Sequence, residues 1–169
     1  MLRKFLASAA LIVATAAPAC AAPPLSPELR AINDGQRALV AQTCDRVMGL
    51  QDGGVFRQEC MDSLASSLAA KTERSALAAS YRFCSGRGLS EGSAAFSTCM
   101  LDNRDRLGAA APEPVKLSYD ANAQGYFAIG NGDRWRREQY ACAQIGLTPG
   151  TAAFGQCVAG LDASLFHTF

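Results

Sequence analysis

The sequence predicts an all-α protein of about six helices, arranged as three disulfide-stapled helical hairpins. Three observations carry that expectation. The cysteines beyond Cys20 fall into three pairs, Cys44 and Cys60, Cys84 and Cys99, Cys142 and Cys157, at nearly equal spacing. The residues between the members of each pair recur in type and order. Apolar residues elsewhere return every three or four positions, and no stretch keeps the two-residue alternation of a strand.

The amino terminus reads as a secretory signal covering residues 1–21. Arg3 and Lys4 form its positive start, Phe5 to Ala17 its apolar run, and Ala19-Cys20-Ala21 a small-residue site for cleavage before Ala22. The run is shorter than the ~20 apolar residues that span a bilayer. Cys20 allows a second fate, a lipid anchor, but Ala17-Pro18-Ala19 lacks the Leu-type residue three positions before the cysteine. Ordinary cleavage and a single exported domain over residues 22–169, periplasmic or secreted, are the expectation, with no transmembrane segment in the mature chain.

Loss of Arg3 and Lys4 would leave 14 basic against 15 acidic residues. A chain so nearly neutral has no general attraction for nucleic acid or an anionic membrane.

Each cysteine pair brackets the same device. The third unit reads Cys142, Gly146-Leu147-Thr148-Pro149-Gly150, Phe154, Cys157. The second reads Cys84, Gly88-Leu89-Ser90-Glu91-Gly92, Phe96, Cys99. The first reads Cys44, Gly49-Leu50-Gln51-Asp52-Gly53, Phe56, Cys60, with one extra residue before the glycine. The leading glycine suits a helix end, where a positive φ is common. Leucine then folds back as an apolar plug, and Ser90 or Thr148 caps the next helix, with Pro149 in its first position. Phenylalanine and cysteine follow on one face of that helix. Each unit is thus a helical hairpin, at about 27–70, 75–107 and 133–166, and the irregular connection 108–132 drapes over the core.

Periodicity places the elements. Ser26-Pro27-Glu28 starts a helix whose apolar face includes Ile32, Leu39, Val40, Thr43 and Val47. Phe56, Cys60, Leu64 and Leu68 align on the second. Leu77, Tyr81 and Cys84 line the third, and Phe96, Cys99 and Met100 the fourth. Asp133 is read as the cap of the fifth, and Phe154, Val158, Leu161 and Leu165 form a stripe on the sixth.

Six cysteines in an exported chain imply three disulfides, and the recurring units favour pairing within each. Closing a loop of about 15 residues contributes roughly 3 kcal/mol by restricting the unfolded chain. Cys142, however, lies four residues before Gly146 and Cys157 eight beyond Pro149, an axial offset of roughly 6 Å. A bridge tolerates about 7 Å between Cα atoms in all. Either the hairpins are staggered or the bridges join different units. No close pair suggests zinc, redox chemistry or haem attachment, so no metal or cofactor is expected.

Candidate chemistry is sparse. Gly88-Leu89-Ser90-Glu91-Gly92 matches the nucleophile elbow of hydrolases, but that elbow follows a strand and needs a histidine. Thr148 and Gln51 stand in the equivalent places, as expected of a helix start. His167 lies two residues from the carboxyl end, and no pair of carboxylates is placed as acid and base. The one local concentration of charge and aromatics is Asp133-Arg134-Trp135-Arg136-Arg137-Glu138-Gln139-Tyr140. Arginine and tryptophan are enriched in binding hot spots. Against the plainer reading of a solvated helix with Trp135 in the core, Arg134, Trp135 and Arg137, with Tyr126 and Phe127 beside them, form the candidate partner surface.

The segment Cys142 to Cys157, with its match at Cys84 to Cys99, resembles a unit of uncharacterised small exported proteins of proteobacteria, C-x3-G-L-x-x-G-x3-F-x2-C. That resemblance implies a structural signature and brings no activity. The expected function is a non-enzymatic interaction or envelope-associated module. The alternatives are a carrier of a small apolar ligand between helices, near Phe56, Phe96 and Phe154, and more remotely a serine hydrolase using Ser90.

Overall fold

Where the helices stop is decided by where caps and glycines fall. A computed structural model describes residues 24–51, 54–107 and 125–166. The helices run α1 (Pro27–Arg30), α2 (Asp34–Arg46), α3 (Val55–Gly86), α4 (Ala94–Leu107), α5 (Asn131–Gln144) and α6 (Ala152–Phe166), with a 3-10 turn at Tyr126–Ala128 before α5. No strand occurs among the described residues. The all-α class and the three within-unit bridges are as expected. The helices are divided differently.

The expected first helix is two. Asn33 and Gln36 form a reciprocal capping box that starts α2 afresh, and Arg37 ties the break by donating to the carbonyls of Leu29 (3.0 Å) and Ile32 (2.6 Å). The expected second and third helices are one. Nothing between Phe56 and Cys84 breaks a helix, since the stretch holds neither glycine nor proline and is rich in alanine. At 1.5 Å per residue α3 is about 48 Å long. It therefore serves two hairpins at once.

Corner chemistry also differs from the sequence reading. Gly146 takes φ 81° after α5, and Leu147 N–H donates to Cys142 O (3.1 Å) while Gly146 N–H donates to Ala143 O (2.8 Å). This is the double-bonded helix end that glycine permits. In the first unit Leu50 N–H likewise reaches Cys44 O (3.1 Å), and Met48 N–H reaches back to Thr43 O (3.2 Å), which absorbs the extra residue. Thr148-Pro149-Gly150-Thr151 then forms a separate turn, with Gly150 at φ 83° and Thr151 N–H on Thr148 O (3.3 Å). Ser90 to Ser93 repeats it, with Gly92 at φ 80° and a 3.1 Å bond. The caps are consequently Ser93 and Thr151, whose hydroxyls accept from Phe96 N–H (3.1 Å) and Phe154 N–H (3.3 Å). Ser90, Thr148 and Pro149 belong to the turn. Asp133 is likewise no cap: Gly130 holds that place, three residues earlier.

Those shifts remove the objection to within-unit pairing. The first half-cystine of each pair is the third residue from the end of its helix, and the second is the sixth residue of the next. The mismatch is three residues, about 4.5 Å of rise, instead of the roughly 6 Å counted from Gly146 and Pro149. Cys44–Cys60, Cys84–Cys99 and Cys142–Cys157 bridge with Cα separations of 6.1, 6.0 and 6.0 Å.

One core joins α1, α2, the first half of α3, α5 and α6, and Tyr126 is buried in it. Val40, Leu64, Leu68, Ile145, Leu161 and Leu165 are its fully buried centre. The second hairpin lies apart from that core. There α4 packs principally on the far half of α3, around Ala76, Ser80, Cys84 and Phe96. Leu77 and Tyr81, expected inside, stand on the exposed flank (39% and 42%) because the small residues at 76 and 80 take the face toward α4. Arg104 pairs with Glu73 across the arm at 2.6 Å.

Three disulfides belong to an oxidising compartment outside the cytoplasm. Among the described residues, no helix is long and apolar enough to cross a membrane. The arm's isolation separates the roles of the bridges. Replacing Cys142 and Cys157 together by alanine is expected to lower global stability by about 3 kcal/mol. The same change at Cys84 and Cys99 is expected to raise amide exchange over α4 while the core amides stay protected. Hydrogen exchange with denaturant titration reads both, and equal loss of protection throughout the chain for the two variants would refute the division.

Candidate functional site

α5 is amphipathic in an unusual sense, because its inward face carries charge. Arg137, Glu138, Ala141 and Cys142 are its buried residues. Arg137 is 4% exposed, and its guanidinium reaches the carbonyl of Met48 at the end of the first corner (3.5 Å). It ties the first unit to the third. Glu138 is 1% exposed and accepts a hydrogen bond from the Tyr126 hydroxyl, itself fully buried. Of the candidate partner surface, then, Arg137 and Tyr126 are interior residues and present nothing to a partner. Phe127 is half exposed and packs on Phe56, with ring centroids 4.5 Å apart.

Arg134 and Trp135 are different. They line a groove of about 780 Å³ between α5 and α6, with Glu138 on the same helical stripe. Across from them α6 presents Phe154, Val158, Asp162 and Phe166 at intervals of four. Gly155 and Ala159 occupy the adjoining stripe, and their small size leaves the space open. Trp135 is 57% exposed at the rim. The expectation that it tucks into the core fails because the inward positions of α5 are taken by Arg137, Glu138 and Ala141, leaving Trp135 on the outer flank.

Electrostatics distinguish the groove from a plain apolar cleft. The Arg134 guanidinium lies 4.7 Å from the centroid of the Phe166 ring, an arrangement that attracts a cation to an aromatic face. Its terminal nitrogen donates to Asn131 Oδ1 at 2.7 Å, and its Nε is buried with no hydrogen-bond partner. Burial holds the Glu138 carboxyl above the ordinary glutamate range, and the Asp162 charge raises it further. The Tyr126 hydrogen bond and Arg134 oppose that rise. Burial and the Glu138 hydrogen bond push the Tyr126 phenol well above its usual value, so it stays protonated as a donor.

The remaining candidates do not converge on this place. Phe154 lines the groove, Phe56 lines a smaller hollow with Tyr126 and Phe127, and Phe96 packs against Tyr81 in the arm. The three phenylalanines therefore make no common pocket. Ser90 sits exposed in a turn that follows a helix, where a nucleophile elbow follows a strand. His167 and Cys20 lie outside the described residues. Among the described residues no group of histidine, cysteine and carboxylates has the arrangement of a metal site. Sequence reasoning placed Glu138 in the charged stretch without giving it a role, and passed over Asp162. Glu138 was within reach, lying four positions after Arg134 on the same face, whereas Asp162 enters only through the packing of α6.

Compared with protein-family models, with curated proteins and with solved structures, the chain shows no match.

The raised Glu138 carboxyl has a signed consequence. Its folded form holds the proton more tightly than its unfolded form, so its contribution is complete below the ordinary value of 4.5 and is lost as pH rises through the folded value. Wild-type stability minus that of Glu138→Gln is therefore expected to decline as pH rises above 4.5. Denaturant titration of both proteins across that range checks it. A difference that grows with pH would show the carboxylate to be stabilised where it lies.

Proposed function

We propose that the chain is a non-enzymatic interaction module, periplasmic or secreted, that holds a segment of a partner protein in the α5–α6 groove. The observation that carries this reading is Trp135, more than half exposed beside apolar walls with Arg134 next to it. Leaving a large aromatic in water forgoes on the order of 2 kcal/mol of burial. Tryptophan and arginine together on an open cleft form the kind of anchor pair that dominates interfaces. The groove offers apolar surface, donors and acceptors side by side, which suits a polypeptide.

A photo-crosslinking residue placed at Gln139, on the groove, tests the reading against the same residue at Arg82 on the arm. Adducts of polypeptide mass are expected from position 139 in the native envelope, and Trp135→Ala is expected to weaken the partner by tenfold or more, on the order of a hot-spot loss. Equal adducts from both positions would remove the groove from consideration. The groove's volume also lies in the range of pockets for small molecules, which favours a second reading, a carrier of a small apolar ligand. Native mass spectrometry of protein purified from its host separates the two, since the carrier retains a lipid-sized mass.

Export is part of the proposal and rests on the layout of residues 1–21 and on the disulfides. Intact mass of the mature protein is expected to begin at Ala22, carry no lipid, and gain two hydrogens for each of its three bridges on reduction. A chain beginning at a lipid-modified Cys20 would instead make it an anchored protein.

A further inference from the structure

The three bridges do not stand in equal surroundings. Cys44, Cys60, Cys142 and Cys157 belong to the central core and are fully buried. Cys84 is also fully buried, but in the arm and outside that core. Cys99, alone of the six half-cystines, is only partly buried. The packing around this bridge is thin. Ala76 and Ser80 are small, and the buried Ser80 hydroxyl has no hydrogen-bond partner among the described residues, which weakens the contact further. Beside the bridge lies a hollow of about 470 Å³ lined by Phe83, Arg87, Leu101, Asp102, Asn103 and Arg106. Asn103 connects the hollow to the bridge: its amide nitrogen donates to the Cys99 carbonyl at 2.8 Å and lies 3.6 Å from Cys99 Sγ.

We propose that Cys84–Cys99 is a reversible redox site that controls the arm, opened by a dithiol reductant while the two core bridges stay closed. A disulfide breaks when a thiolate reaches one of its sulfurs. At the core bridges that approach requires the core itself to open. In the arm a separation of α4 from α3 suffices, and opening of that local kind needs less free energy than global unfolding. The first thiolate of the reductant attacks Cys99 Sγ, and Cys84 leaves as a thiolate that takes up a proton. The second thiolate of the reductant then attacks the reductant's own sulfur in the mixed disulfide. That closes the reductant's disulfide and releases Cys99 as a thiolate beside the Asn103 amide, to be protonated in turn. Two electrons pass from the dithiol to the bridge, and two protons follow. Arg87 and Arg106 outnumber Asp102 in the hollow and favour approach of the anionic sulfur. Reduction removes the covalent tie that holds α4 on α3, so the arm opens while the core and the groove keep their form.

The full mature protein, oxidised and without denaturant, is exposed to dithiothreitol, quenched with iodoacetamide at intervals and mapped by peptide mass. Cys84 and Cys99 are expected to alkylate at least about tenfold faster than the other four cysteines. Hydrogen exchange on the singly reduced protein is expected to show α4 losing protection while α5 and α6 keep theirs. Reoxidation by glutathione disulfide is expected to restore α4. Failure of Cys84 and Cys99 to alkylate ahead of the other four overturns the redox site. Selective reduction that leaves α4 as protected as before overturns its control of the arm.

Discussion

The corner between paired helices governs this structure, and a single main-chain contact fixes it in the first and third units. The leucine that follows the corner glycine donates its N–H to the carbonyl of the half-cystine that began the turn, Leu50 to Cys44 and Leu147 to Cys142. Hydrogen bond, buried leucine and disulfide therefore meet at one residue. The glycine lets the chain reverse, the leucine anchors the reversal in the core, and the sulfur bridge fixes the register of the helix that follows. Because the second cysteine always falls on the sixth residue of that helix, the bridge selects where the helix must start as much as it holds the helix in place.

Everything larger is assembled around α3. α3, about 48 Å long, enters the core with its residues as far as Ala69, and its far end is bridged to α4. The arm has little apolar area to hold it: its inner face is Ala76, Ser80, Cys84 and Phe96, while Leu77, Tyr81, Phe83 and Leu101 look outward. A bridge matters most where packing offers least. In the core, by contrast, the units are joined by buried polar contacts, Arg137 to the Met48 carbonyl and Tyr126 to Glu138. Buried polar groups of that kind must be satisfied in one arrangement, which sets how the third hairpin lies against the first.

The groove arises from the same packing. α6 buries Phe154, Val158, Leu161 and Leu165 against the core, and its glycine and alanine at positions 155 and 159 leave a channel against α5. Glu138 and Asp162 face that channel from the two helices. Glu138 is held there by the Tyr126 hydroxyl, while Asp162 stands exposed on α6 and its charge adds to the rise that burial imposes on the Glu138 carboxyl.

The sequence by itself determined the helical class, the three cysteine pairs and the glycine-leucine corners, because each is a local matter: a helix end, a backbone angle, a loop of fixed length. It also marked Arg134 and Trp135, whose neighbourhood is visible in a single turn of helix. It did not determine that the middle of α3 is unbroken, since a pattern of separate hairpins and one shared helix place the same residues at the same intervals. Nor did it determine that Tyr126 and Arg137 are interior while Trp135 is not, because side chains one position apart differ by 100° around a helix and only the neighbouring elements decide which direction is inside. The meeting of Glu138 with Asp162, on different helices and 24 positions apart, was decided by tertiary packing alone. No pattern along one strand of chain records which faces of two helices will be brought together.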